Sequence, residues 1–134
     1  MGNVIFKAVK ADEVNFTNRI ETSGELNLSQ KSNYSVTYSS DMKSCRATLI
    51  VEIEEKMRPN DFRLRMSITA FFACEDGMTK NEIHKKTYDE IYPNARAMVM
   101  NFFINAGLPP IVIPKIKMTD EVIKSSEDVN PMFS

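Results

Sequence analysis

Two long stretches of the chain alternate apolar and polar residues with a period of two. Cys45, Ala47, Leu49, Val51 and Ile53 fall on one face, with Arg46, Thr48, Ile50, Glu52 and Glu54 on the other. After a turn around Pro59-Asn60, the face formed by Phe62, Leu64, Met66, Ile68, Ala70, Phe72 and Cys74 opposes Arg63, Arg65, Ser67, Thr69, Phe71 and Ala73. Alternation this long specifies register, because a slip of one residue would turn the whole apolar set to water. It predicts two adjacent strands of an antiparallel sheet with one packed face. Upstream, Val4 to Val9 and Val14-Asn15-Phe16 read as extended, with both faces partly covered. Thr22 to Asn33 is polar and reads as a connection, within which Leu26 and Leu28 suggest a short edge strand. Tyr34, Val36 and Tyr38 then alternate up to a turn at Ser40-Asp41.

The pattern changes after Gly77. Thr79-x-x-Glu82 matches a capping box and should open a helix. Pro93 lacks a backbone donor and biases Tyr92 away from helical angles, so a break near Ile91–Pro93 is expected, with Pro93 opening a second helix. Ala95, Val99, Phe102 and Ala106 supply that helix with an apolar stripe, and Gly107 followed by Pro109-Pro110 ends it. Strands followed by helices give an α+β fold: a four-stranded antiparallel sheet followed by two helices packed on one face. Residues 1–118 form one domain, and 119–134 a polar tail.

Composition narrows the chemistry. The 134 residues are 43% hydrophobic, enough for a core without metal or disulfide staples. With 17 basic and 18 acidic side chains the balance lacks the basic excess of a nucleic-acid binder. Cys45 and Cys74 point with apolar neighbours and read as buried free thiols. The single histidine, His84, stands beside Lys85 and Lys86 and reads as a solvated surface side chain. No His/Cys cluster has zinc-ligand spacing, and the four glycines are too dispersed to cradle phosphate, so neither metal nor cofactor is expected. Met98 to Ile113 is too broken by Asn, Gly and Pro to span a membrane, and no secretory leader is evident, which places the chain in the cytoplasm by elimination. Ile50, Phe71 and Ala73 on the otherwise polar strand faces, together with 9 Met and 8 Phe, lean toward polypeptide binding.

One segment is more specific. Tyr88-Asp89-Glu90-Ile91-Tyr92-Pro93-Asn94-Ala95-Arg96, followed by Gly107-Leu108-Pro109-Pro110-Ile111-Val112-Ile113-Pro114, resembles the signature of the SecB protein-export chaperones. Lys10 to Phe16 is similar to the opening of that family. The resemblance implies a homotetramer, a dimer of dimers, that holds unfolded polypeptides without ATP and hands them to the SecA motor. It implies client contacts at Leu26 and Leu28, and along the segment after the helix at Ile111, Ile113 and Met118. It also implies acidic docking positions for the motor. Glu13 matches one, but Thr17 stands where another acid is expected, and the matching strand carries Arg63 and Arg65. Three functional classes follow: a holding chaperone for non-native polypeptides, a single-partner adaptor or antitoxin-protecting chaperone, and a thioesterase-like enzyme built around His84 and Glu90.

Overall fold

The computed structural model describes residues 2–21 and 26–116. Four strands, β1 (Val4–Asn18), β2 (Leu28–Tyr38), β3 (Ser44–Glu55) and β4 (Phe62–Cys74), form an antiparallel sheet in the order β1-β4-β3-β2. The predicted alternation of β3 and β4 becomes their register, with Cys45 opposite Phe72, Ala47 opposite Ala70, Leu49 opposite Ile68 and Ile53 opposite Leu64. All of these side chains are buried on one inner face. The outer face pairs Glu52 with Arg65 and Glu54 with Arg63.

β2 is longer than expected. Residues 28–33, read as part of a connection, extend it along β3 from Leu28 opposite Glu55. Their polar side chains suit an edge strand, which pairs on one side only. At the other edge, β1 runs for 15 residues without a break in direction but with two bulges. Lys7 and Asp12 are the extra residues. Each bulge reverses the inward parity. The inner positions of β1 are therefore Val4 and Phe6, then Val9 and Ala11, then Val14 and Phe16.

The two helices expected around Pro93 are one. A single 26-residue helix, α1 (Lys80–Asn105), carries Pro93 in its interior. Both Asp89, whose carbonyl loses its usual donor, and Pro93 are exposed, so the gap in the hydrogen-bond ladder faces solvent. Asn94 donates its side-chain amide to the Glu90 carbonyl at 3.0 Å. Most decisively, His84, Tyr88, Ile91, Ala95, Val99 and Phe103 form one buried stripe through the proline. Ending the helix at Ile91 would throw half of that stripe out of phase with the sheet.

Both ends of α1 follow the sequence signals. Thr79 accepts from the Glu82 N–H, and Glu82 accepts from the Thr79 N–H. At the C-terminus Gly107, at φ +81°, and Leu108 return hydrogen bonds to Ile104 and Phe103, at 3.0 and 2.9 Å. This is a Schellman closure, and it needs a left-handed residue at Gly107.

His84 is 0% exposed and both ring nitrogens lack a hydrogen-bond partner. The expectation of a solvated histidine is wrong: its phase on the helix, four residues before Tyr88, outweighs its lysine neighbours. The imidazole packs edge-on to Tyr34, with centroids 5.0 Å apart. Beside it, the Tyr34 hydroxyl meets Thr87 Oγ1, which itself donates to the Ile83 carbonyl. Since Thr87 has one hydroxyl proton, Tyr34 is the donor in this buried link between β2 and α1.

Burial holds the His84 pKa down to about 4, against 6.5 for an ordinary imidazole. Above pH 6.5 the folded and unfolded states both keep it neutral. As pH falls from 6.5 toward 4, the unfolded state takes up the proton first and the fold loses stability. Thermal unfolding should shift down by several degrees across this window and shift less in His84→Leu. The carboxylates held below their usual range, Asp41, Glu55 and Glu82, begin to lose their contribution only below about pH 5, so the histidine is read between pH 6.5 and about 5. Parallel pH profiles for the two proteins would remove the histidine from the acid response.

Candidate functional site

Tyr88 and Tyr92 project from α1 and catch the chain as it returns from the helix. The Tyr92 hydroxyl donates to the Ile113 carbonyl at 2.6 Å, and the Ile116 N–H donates to the Tyr88 hydroxyl at 2.7 Å. Lys115 adds an exposed ion pair to Asp89 at 3.0 Å. Residues 111–116 thus form a strap running back along α1. Because the Tyr88 ring also packs on Tyr34 of β2, at 5.0 Å, the strap lies on the β2 flank of the helix.

The same flank holds the approach to β2. Leu26 and Leu28 are half-buried against the core. Asn27 between them is clamped: its N–H donates to Glu55 Oε2 at 2.9 Å, and its carbonyl accepts from the Lys56 N–H at 2.8 Å. Glu55 also accepts from the Met57 N–H at 2.8 Å. These backbone donors, Asn27 first, hold the Glu55 carboxyl below the usual range.

The residues singled out from sequence therefore divide. Leu26, Leu28 and Ile111 are partly accessible on one flank. Ile113 is 1% exposed and anchors the strap in the core, so its side chain is not offered to a ligand in this arrangement. Met118 lies outside the described residues. Val112, 50% exposed between Ile111 and Ile113, was not singled out from the sequence.

A second apolar strip lies along β1. Phe6 and Val14 point to the inner side yet are 40% and 42% exposed. α1 reaches this strand at Phe16, whose ring meets Phe102 at 5.0 Å. Ile104, at the end of the helix, is 51% exposed. The sequence signal for this strip existed in Phe6 and Val14, which share parity, but the two bulges conceal that Val9 and Ala11 between them turn to the same face.

The outer face is electrically balanced. Arg65 pairs with Glu13 at 3.0 Å, and Arg63 lies 3.9 Å from Glu52. These three docking candidates are thus brought together in one neighbourhood, but as neutralised pairs rather than as an acidic strip. Thr69, only 2% exposed, donates to Asp12, the second bulge residue. No group of three or more His, Cys, Asp or Glu among the described residues could hold a metal. No helix among them is long and apolar enough to cross a membrane.

No family model matches the sequence, and no curated protein matches it. The structure does find a counterpart: the Rv1957 SecB-like chaperone of Mycobacterium tuberculosis, solved in complex with a ChAD peptide from the HigA1 antitoxin. The superposition has a TM-score of 0.64 at 13% identity, and covers 86% of this chain and 88% of that one. The chain therefore has the SecB-like fold, an α+β architecture with one helix laid on a four-stranded antiparallel sheet.

The clamp on Asn27 is testable by itself. Glu55→Ala should speed amide hydrogen exchange at Asn27 and Leu28 severalfold while leaving the centre of β3 protected. The same loosening should appear in the unsubstituted protein as pH falls through the lowered Glu55 pKa, because a protonated carboxyl loses its grip on the N–H groups. Unchanged exchange at both positions would mean that β2 pairing alone holds this segment.

Proposed function

We propose that the chain is a chaperone that holds non-native polypeptide segments without nucleotide hydrolysis. The segment lies extended along the β2 flank, against Leu26, Leu28, Ile111 and Val112. The observation that carries this reading is the apolar flank itself: a sheet edge and a tyrosine-held strap, on a fold shared with a chaperone that binds a peptide. An edge strand offers backbone pairing to an extended ligand, while apolar side chains give it pockets.

A narrower form of the reading takes its support from that neighbour, whose ligand is an antitoxin peptide. Protection of one partner protein would use the same flank and differ only in selectivity. Hand-over to the SecA motor has less support, because Glu13, Arg63 and Arg65 stand in balanced pairs. A non-enzymatic role is favoured by His84, whose nitrogens have no partner through which to activate a nucleophile or be oriented. The thioesterase-like alternative is left with Glu90, an exposed carboxylate on α1. Assembly into a homotetramer is part of the proposal. The exposed inner strip of β1, with Phe6 and Val14, is the surface we assign to contact between copies.

Purified protein without ATP should suppress light scattering by an unfolded, aggregation-prone client at near-stoichiometric ratio, and leave a natively folded control unbound. Leu26→Asp and Leu28→Asp should each weaken client binding by about 1–3 kcal/mol, the worth of a buried leucine side chain. Unfolding curves on the same variants separate loss of binding from loss of fold. Suppression confined to one partner among several unfolded clients would replace the general holdase with the single-partner form, and no suppression of any would refute the general holdase.

The assembly is tested separately by sedimentation. The unsubstituted chain should run as a tetramer, and Val14→Glu should lower the assembled fraction at equal concentration. A monomer at all concentrations would leave the β1 strip without its assigned partner.

A further inference from the structure

The open end of the β3–β4 hairpin carries both cysteines of the chain. Cys45 is the second residue of β3 and Cys74 the last of β4. They lie on the same inner face, diagonally across the ladder: Cys45 opposes Phe72, and the Cys74 N–H donates to the Lys43 carbonyl at 2.8 Å. Their sulfurs are 3.5 Å apart, with the Cys74 thiol directed at Cys45 Sγ. Both are free and buried, each 6% exposed. Two thiols have no packing need to face each other; an alanine and a cysteine would fill the same corner.

The surroundings provide an approach. Cys74 directly precedes the exposed run Glu75-Asp76-Gly77 and is paired to Val4 at the very start of β1. Opening of that terminal pair uncovers the thiol without disturbing the centre of the sheet.

We propose that Cys45 and Cys74 form a reversible intrachain disulfide by exchange with a small peptide disulfide. One thiol, as its thiolate, attacks the reagent and expels one small thiol, leaving a mixed disulfide. The second cysteine then attacks the protein sulfur of that mixed disulfide and expels the other small thiol. The two cysteines lose two protons and two electrons; the reagent gains them and leaves as two thiols. The sulfurs must close from 3.5 Å to the ordinary bond length of about 2.05 Å, a movement within reach of side-chain rotation at a strand end. Burial raises the pKa of both thiols, so exchange is slow at neutral pH and quickens as pH rises. The bond closes the hairpin at the end opposite its turn and fixes the frame from which the chain enters α1.

Oxidised glutathione is the probe. Reduced full-length protein held in excess reagent at pH 8 should lose the mass of two hydrogens, retain no glutathione, and show no free thiols when unfolded. A proteolytic fragment should join the Cys45 and Cys74 peptides. Thermal unfolding should shift upward by several degrees, and a dithiol reductant should reverse all of these changes. Cys45→Ala and Cys74→Ala should each fail to lose two hydrogens. A persistent mixed disulfide in the unsubstituted protein, two thiols still free after prolonged exposure, or a link only between chains would each overturn the proposal. The readouts on the unsubstituted protein stand even where an alanine variant folds poorly.

Discussion

The structure rests on one geometric mismatch: a single helix must cover a face that is too wide for it. A helix with its side chains is about 10–12 Å across, whereas four strands at about 4.8 Å spacing span nearly twice that. α1 therefore buries the middle of the sheet completely and its edges incompletely. Leu49, Ile53, Leu64 and Ile68 are 0–1% exposed, while Phe6 and Val14 on β1 remain open. The strap mends the β2 flank through Ile113 and leaves Ile111 and Val112 partly outside. Nothing comparable among the described residues covers β1. The two flanks are apolar because of what the helix cannot reach, not because the core is badly patterned.

This mismatch explains why the helix had to continue through Pro93. Two helices meeting at an angle there would have lost the common buried stripe from His84 to Phe103. An interior proline costs about 3 kcal/mol in an ordinary helix. Here its solvent-facing position and the Asn94 side chain reduce that cost, while the stripe buries Ile91, Ala95 and Val99 completely. Tertiary packing outweighs local preference. The proline rule is sound, but it could not see that the apolar residues on either side of Pro93 are in phase.

Legibility followed the same division between local and tertiary causes. β3 and β4 could be read because their alternation is unbroken, and the helix ends because capping chemistry is local: Thr79 with Glu82, and Gly107 with Leu108. β1 could not be read fully, since bulges at Lys7 and Asp12 shift its inward set twice. The polar half of β2 reads as loop because an edge strand needs so little burial. His84 was misplaced by its neighbours Lys85 and Lys86, although its spacing from Tyr88 and Ile91 carried the correct answer. Of the candidate site, the apolar character of Leu26, Leu28 and Ile111 was visible, but the burial of Ile113 was not. That depends on Tyr92 and Tyr88 holding the strap from a distance of 21 and 28 residues along the chain.

The residues that carried the family resemblance turn out to have one mechanical task in common. Ala95, 0% exposed, allows α1 to sit close to the sheet. Tyr92 grips the returning chain at Ile113, and Gly107 adopts the left-handed turn from which that return starts. Pro109 and Pro110 then keep it from resuming a helix. Together they turn the chain back and lay it on the β2 flank. A sequence can drift far while keeping this turn, because the requirement falls on a few backbone angles and hydroxyls and not on the identity of the core. So local a requirement is compatible with a fold shared across 86% of the chain at only 13% identity. It also leaves the side chains along the flank free to vary, so under the proposed function selectivity for a client falls to Leu26, Leu28, Ile111 and Val112, on an edge whose position the turn has already determined.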